Sequence, residues 1–351
     1  MTTPIETIQL QVFDAKTASD DAWDSYIALR QAYFAEREPN DPIPPADLIR
    51  KEVLVGEESE RRESSRWVIY DTATSTAIGT MGAGGVTEAH EDYEKDKHLV
   101  YYDIYLKPEF RRRGIGTYAL KTIASIMGDR GKTTMEAWVN LDDGAAFQDA
   151  IGAKVTLRMR SNRLQLAQLD WDMMQAWVND GEARNPDTQL VLTSDLPIEE
   201  HCQPYANLMM DIFAQMPKED AGGFPEVITI DRMKEWHDDI EKTGGHHLSA
   251  YTVEPDGTIT AMSEIYYHPD EPHIIEQELT GVHLSARGRG LGKWTKAAMA
   301  LHIRETYPEV KFINTVNANV NAAMLHINQT MGYTFHKQNS VYEIKVEDVL
   351  S

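Results

Sequence analysis

The chain has 351 residues, 42% of them hydrophobic, which suits two globular cores of ordinary domain size better than one. A net charge of −22, spread over both halves, sets the surface against nucleic acid and anionic membrane, so neither is expected as a partner. No run approaches the roughly 18 apolar residues of a membrane span, MTTPIETIQL lacks the basic and apolar regions of a signal peptide, and the single cysteine, Cys202, excludes an internal disulfide; a cytoplasmic monomer or homodimer is the expectation.

In chain order, residues 20–37 repeat apolar positions at helical spacing, with Asp20 or Asp21 as cap. The Pro-rich 38–45 reads as a loop, 46–54 as a helix and the charged run 57–63 as a solvated face. Strands at 67–70 and 77–81 form a hairpin, 82–85 breaks the pattern with glycines, and 88–97 is an exposed loop. A strand at 100–106, a helix at 116–127, a strand at 133–139, a helix at 143–151 and a strand at 154–166, turning near Ser161, complete the first half. A helix over 170–186 reads as a linker. The plan then restarts with a strand at 189–192, helices at 199–215 and 231–242 around a Gly/Pro-rich loop at 217–225, and a hairpin of 247–253 and 258–267 turning at Pro255-Asp256-Gly257. A strand at 274–282, a helix at 291–306, a strand at 312–315, a helix at 321–331 and a strand at 341–346 close the chain. Cys202 sits in a helix-like stretch with no evident base beside it, which argues against a catalytic thiol.

The chemistry gathers at 280–296, TGVHLSARGRGLGKWTK: a strand end, a Gly-rich basic turn and a helix start. Glycines let backbone N–H groups crowd one point, and the first free N–H groups of a following helix aim there with its positive dipole end. That is an anion site, and phosphate is the usual anion. The spacing is neither that of a P-loop nor that of a dinucleotide fingerprint. It is Arg287-x-x-Gly290-x-Gly292, and it recurs as Arg111-x-x-Gly114-x-Gly116 in YLKPEFRRRGIGTYALK, 176 residues earlier and again between a strand and a helix.

Both halves therefore resemble the GCN5-related N-acetyltransferase (GNAT) family, whose pyrophosphate-binding motif is R/Q-x-x-G-x-G/A. The second half, with Thr280-Gly281-Val282, the Arg287–Gly292 turn and Lys296, resembles the C-terminal halves of tandem GNAT proteins such as mycothiol synthase. The resemblance implies an α/β (α+β) fold of two GNAT domains in tandem, each a mixed, mostly antiparallel twisted sheet flanked by helices. It places an N-terminal domain at 1–169, a linker helix at 170–188 and a C-terminal domain at 189–351. It implies acetyl-CoA as cofactor and a small-molecule amine as acceptor, attacked directly in a ternary complex. A non-catalytic acyl-CoA-binding or regulatory protein, or a protein amine acetyltransferase, are the alternatives. No metal is expected, because metal-ligand spacing of His and Cys is absent.

Family motifs map onto named positions. Cofactor contacts fall on Gly281, Val282, His283, Leu284, Arg287, Gly288, Arg289, Gly290, Leu291, Gly292 and Lys293. A β-bulge in the strand before the turn is expected to aim a backbone N–H from Gly281–Leu284 at the thioester carbonyl. Glu276 and Glu278 alternate onto one strand face, where the family's bases often lie, and Glu264 on the preceding strand is a third candidate; two carboxylates on one face raise one another's pKa. His246, His247 and His283 are alternatives. The family's acidic Tyr aligns with Asn328, which cannot supply a proton. Asn321 and Asn328, within the cluster Asn314, Asn317, Asn319, Asn321 and Asn328, are instead expected to touch the cofactor. In the first half Leu106, Arg111, Arg112, Arg113, Gly114, Ile115 and Gly116 form the matching turn and are also expected to bind the cofactor, without turnover, a pseudo-site kept for packing being the alternative; Asp103 stands without a Glu pair and Gln148 aligns with Asn328. The second half is expected to be the catalytic one.

Overall fold

The computed structural model describes residues 5–194, 196–216, 225–318 and 322–351. Among these the chain divides into two compact units, one formed by residues 5–158 and 339–351, the other by residues 159–216 and 225–338.

The first unit contains β1 (Ile8–Val12), α1 (Asp20–Arg37), α2 (Ala46–Gly56), β2 (Arg62–Asp71), β3 (Thr76–Val86), α3 (Tyr93–Asp96), β4 (Leu99–Leu106), α4 (Ile115–Asp129), β5 (Thr134–Val139) and α5 (Asp142–Ala150), and β6 (Lys154–Gln165) begins in it. The second holds the rest of β6, then α6 (Trp171–Arg184), β7 (Gln189–Thr193), α7 (Glu199–Gln215), α8 (Ile230–Thr243), β8 (His246–Val253), β9 (Ile259–Tyr267), β10 (Ile274–Val282), α9 (Leu291–Thr306), β11 (Phe312–Ala318) and α10 (Ala322–Met331). β12 (Thr334–Lys345) starts in the second unit and ends in the first, where α11 (Val346–Leu350) lies.

Both sheets follow one plan. β1, β2, β3 and β4 are antiparallel neighbours, β5 runs parallel to β4, and Ser340–Lys345 of β12 pair antiparallel with β5. β7, β8, β9 and β10 repeat the antiparallel series, β11 runs parallel to β10, and β6 pairs antiparallel with β11 from Met159 to Gln165. The last strand of each sheet thus comes from the other half of the sequence. Alternation tells which face of β6 or β12 is buried, but not which neighbour it meets.

Local corrections have physical causes. Ser19, ahead of the expected aspartates, caps α1 by accepting from Ala22 N, and leaves Asp20 and Asp21 in the first turn, where the helix dipole favours them. β3 runs on through Gly82–Gly85. A Cβ at Gly82 would meet Asp103 Oδ1 at 2.4 Å, so the small residue admits a neighbouring side chain rather than ending the strand. The stretch 88–97 carries α3 and buries Asp92 and Asp96. β6 passes Ser161 without a turn, and β11 and β12 extend beyond their expected ends. The second half of the hairpin at 247–267 turns as expected, with Gly257 at φ 83°.

α9 is buried almost all round. Leu291, Trp294, Ala297, Ala298, Met299, Ala300 and Ile303 are all inside, as for a helix covered on both sides. α6, expected as a linker, packs on it. The approach is close: a Cβ at Gly181 would lie 2.4 Å from Trp294 Cγ. Gly181→Ala therefore overpacks this contact although alanine is the better helix former. Equilibrium denaturation should show a loss of about 1–3 kcal/mol, where an open helical site would gain.

Candidate active site

The two Gly-rich turns share one backbone. Each follows a single 3₁₀ turn, Pro108–Phe110 or Leu284–Ala286, and leads into its helix through a left-handed glycine cap, Gly114 at φ 81° and Gly290 at φ 86°. Two residues earlier a second left-handed position is held by Arg112 (φ 60°) in one and Gly288 (φ 81°) in the other. Gly290 O accepts from Lys293 N and Trp294 N, which leaves the earlier N–H groups of the α9 first turn without helical acceptors. Beyond Gly288 and Gly290 a Cβ would meet nothing within 4 Å. The turn is an open cradle of donors.

Their side chains differ. Arg111 Nη1 and Nη2 donate to Glu36 at 2.7 and 2.5 Å, Nη1 also to Asp143 Oδ2 at 2.8 Å, and Nε to Leu106 O at 2.9 Å. Those partners raise the Arg111 pKa, the Glu36 hydrogen bond most. Arg113 donates to Glu109 O. Arg287 is exposed, and its Nη2 donates to Gln215 Oε1 at 2.6 Å. Arg289 turns away: it donates to Asn185 Oδ1 at 2.8 Å, Glu254 Oε1 at 2.8 Å and Thr188 Oγ1 at 2.7 Å, so it braces the turn from behind.

The Arg287 turn opens into a cleft of about 960 Å³ lying wholly within the second unit. One end is lined by Trp177, Arg184, Arg287, Gly288, Gly290, Gly292 and Lys293. Lys293 Nζ lies 4.8 Å from the centre of the Trp177 ring. The other end is bounded by α7 and α8 through Tyr205, Met209, Phe213 and Trp236, and by Glu264, Glu276 and Glu278. Cationic at one end and carboxylate-lined at the other, the cleft fits an anion and a cation together.

A strand irregularity opens it. β10 and β9 pair regularly as Gln277 with Ile265 and resume as Thr280 with Ser263, so Glu278 and Leu279 together face Glu264. That extra residue is a β-bulge. It lies earlier than Gly281–Leu284: Gly281 and Val282 are back in the ladder with Met262 and Ala261, and His283 N donates to Thr260 O. The parallel pairing of β10 with β11 ends at Gln277 and Thr315, at the same level. Below that point Val316 and Asn317 line the cleft opposite Leu279–Val282. In the first unit β4 stays in register with β3 from Leu106 to Tyr101, with no bulge.

The three expected carboxylates converge on the cleft with different surroundings. Glu278, in the bulge, reaches solvent, yet the cleft walls replace much of its water and push its pKa up. Glu264 is buried; Tyr205 Oη donates to its Oε1 at 2.6 Å, and His247 Nε2 lies 3.6 Å from the same oxygen. Burial raises Glu264 to about 8; the Tyr205 hydrogen bond opposes this and the Glu278 charge adds to it. Burial holds His247 down to about 4, so it is neutral at pH 7. Glu276 Oε1 accepts from Asn314 Nδ2 at 2.8 Å, and Asn314 Oδ1 accepts from Arg163 Nε. Glu276 is thereby tied across β10, β11 and β6.

Other expected residues lie apart. Asn328 is buried and donates to Asn317 Oδ1 at 2.8 Å, so it reaches the cleft only through Asn317. Asn319 and Asn321 fall outside the described residues. His283 caps the 3₁₀ turn and faces Asp211 at 3.4 Å, Leu284 is 58% exposed, and His246 stacks on Tyr267. In the first unit Gln148 Oε1 accepts from Tyr102 Oη at 2.8 Å, a buried bond. Among the described residues His237, Asp238 and Glu241 of α8 offer ligand atoms within 4.8 Å of one another, the two acids exposed. Tyr205 and Ser249, which bond each other beside the expected Glu264, were not assigned from sequence, and Lys296, buried against the cleft, was noted there without a role. Only Lys296 left a sequence signal, as a charge on the buried stripe of a helix.

A bulged strand, an RxxGxG turn capped by a left-handed glycine and a parallel strand that departs at the bulge make this the fold of a tandem GNAT protein. Residues 23–148 match the family model described as Acetyltransferase (GNAT) family. A tandem GNAT protein from the clavulanic acid biosynthesis pathway is 17% identical, with 97% of this chain and 98% of that one covered at a TM-score of 0.75. A GCN5-related N-acetyltransferase from Sphaerobacter thermophilus is 11% identical, with 98% and 97% covered at 0.64. A GCN5-related glucosamine N-acetyltransferase region of a fungal multi-domain GH3 β-N-acetylglucosaminidase is 13% identical, with 96% of this chain and 38% of that one covered at 0.65. No curated protein sequence matches.

Glu264 gives the site a signature in stability. Its folded pKa of about 8 lies above its ordinary value of 4.5, so the folded state holds the proton longer. Stability should fall as pH rises from about 4.5 to 8, and Glu264→Gln should flatten that slope; urea melts across this range measure it.

Proposed function

We propose that the second unit is an acetyl-CoA-dependent N-acetyltransferase acting on a primary amine of a small molecule. The observation that carries this reading is the meeting, in one cleft, of an open Gly-rich donor turn and a bulged strand bearing Glu276 and Glu278. The residues present suit acetyl-CoA. Gly288, Gly290 and the α9 first turn would hold its pyrophosphate, with Arg287 and Lys293 beside them. The parting of β10 from β11 would admit its pantetheine arm. When bound it supplies an activated acetyl group.

The chain's own groups supply the rest. The N–H groups of Glu278 and Leu279, off the regular ladder, are candidates to polarise the thioester carbonyl. Glu278 is the base. Its raised pKa brings a carboxylate nearer that of the amine it must deprotonate, and it faces the cleft. Glu276 is held by Asn314 and positions β10 against β11. Glu264 lies behind Glu278, protonated at neutral pH, and gives the acceptor end a neutral polar wall with Tyr205 and Ser249. The apolar walls that α7 and α8 give this end support a small-molecule acceptor.

The first unit lacks the bulge, fixes Arg111 to Glu36 and Asp143, and fills its interior with the Tyr102–Gln148 bond. We assign it a structural role. Calorimetric titration with acetyl-CoA separates the halves. Gly290→Glu, entering open space, should abolish binding, while Gly114→Glu should leave it intact; binding lost only with Gly114→Glu reverses the assignment. In a screen of primary amines, Glu278→Gln should lower kcat by about a hundredfold or more with acetyl-CoA affinity kept. Undiminished kcat removes Glu278 as the base.

A further inference from the structure

Four cationic residues line the cleft: Arg184, Arg287, Lys293 and Lys296. Arg287 and Lys293 belong to the Gly-rich turn, and Arg184 ends α6 beside Asp180. Lys296 is one helical turn deeper. It is 2% exposed, and among the described residues its ammonium has no hydrogen bond and no ion pair; its Nζ lies 5.3 Å from the centre of the Tyr333 ring. Near it, the Tyr333 hydroxyl and Asn328 Oδ1 are buried without hydrogen-bond partners among the described residues. Glu276 acts on the same Tyr333 hydroxyl, raising its pKa beyond what burial does. Lys296 lines the same cleft as Gln277 and Thr315, the last residues at which β10 and β11 pair.

Such a group is costly to the fold. Burying an ammonium without a counter-ion or acceptor is strongly unfavourable. The first unit shows that the fold does not require it. Counting from the turn, Gly116 corresponds to Gly292 and Leu120 to Lys296, and Leu120 is an ordinary core residue at 1% exposure. The charge is present in the unit with the bulge and the carboxylates, and absent from the other.

Resting on the acetyl-transfer reading, we propose that Lys296 protonates the sulfur that leaves the thioester. The amine's lone pair forms the C–N bond, and its surplus proton passes to the Glu278 carboxylate. As the C–S bond breaks, its electron pair settles on sulfur, and Lys296 gives that sulfur a proton. Neutral Lys296 then regains a proton, by way of cleft water, from Glu278, so both groups return to their starting states.

Burial brings the Lys296 ammonium down to about 7, so both forms are populated at neutral pH. Tyr333 lies against it, and the titratable groups lining the same cleft are Glu276 and Glu278 of β10, Glu264 of β9, His247 of β8, Tyr205 of α7, His237 of α8, Asp180 and Arg184 of α6, and Arg287 and Lys293 at the turn. None forms an ion pair with it among the described residues. Because the folded pKa lies below the ordinary 10.5, this amine's contribution to stability rises with pH from about 7 to 10.5.

The test compares CoA with desulfo-CoA, which lacks the sulfur, by calorimetry between pH 6 and 9, alongside turnover. Wild type should prefer CoA by tenfold or more above neutral pH, through an ammonium–thiolate pair. Lys296→Met should bind both equally, keep desulfo-CoA affinity within threefold, lose tenfold or more in kcat, and melt no lower than wild type. Lys296→Leu repeats the experiment with the residue the first unit uses. Lys296→Arg, which holds charge but releases no proton, should keep the preference for CoA and lose turnover. A Met or Leu variant that retains both the preference and kcat overturns the proposal while leaving the acetyl-transfer reading intact. Wild type that binds neither ligand overturns both.

Discussion

One surplus residue in β10 is the constraint on which the site depends. Because Glu278 and Leu279 together face Glu264, two backbone units leave the ladder, and β11 separates from β10 at the same level. Backbone donors and acceptors seldom remain buried without partners. Glu278 and Leu279 line the cleft, where water or a ligand can satisfy such groups. The bulge also sets Glu278 into that cleft, while the strand beyond it returns to register and delivers the chain to the Gly-rich turn. The equivalent strand of the first unit, β4, keeps a regular register with β3.

The duplicated architecture provides an internal comparison. Both turns keep the same two left-handed positions, at some strain in the first, where Arg112 rather than glycine adopts one of them. What differs is the treatment of charge. The first unit pairs its arginine with two carboxylates and places Leu120 on the inner face of its helix. The second leaves its turn open, buries Lys296 without a counter-ion, and holds Glu264 and Glu278 where desolvation raises both. Perturbed ionisable groups gathered in a cleft mark a functional site more strongly than a motif does. The family match falls on residues 23–148, in the half whose turn arginine is paired. Strand, turn and helix patterns build the fold in both halves, whatever side chains surround the turn.

Most elements were legible because their periodicities are strong: α1, α7, β10 and α9 run over the expected residues to within one position. The misses share a cause. Gly82–Gly85 suggested a break because glycine is a poor strand former, but here it makes room for Asp103, a neighbour that no local pattern reveals. Asp92 and Asp96 suggested exposure because they are charged, and they are buried around a four-residue helix. Arg289 looked like a phosphate ligand because of its place in the turn, and Glu254, Asn185 and Thr188, distant in sequence, claim it.

The sequence by itself determined the two RxxGxG turns, the strand-to-helix setting of each and the glutamates upstream of the second, because these are local patterns of glycine geometry, charge and alternation. Tertiary structure alone decided the rest. The reciprocal exchange of β6 and β12 rests on pairing between strands far apart in sequence. The bulge appears only against β9. The raised carboxylate pKa values and the unpaired amine of Lys296 follow from burial, which depends on every wall of the cleft at once. A residue's type says what charge it can carry, and only the folded surroundings set how readily it carries it.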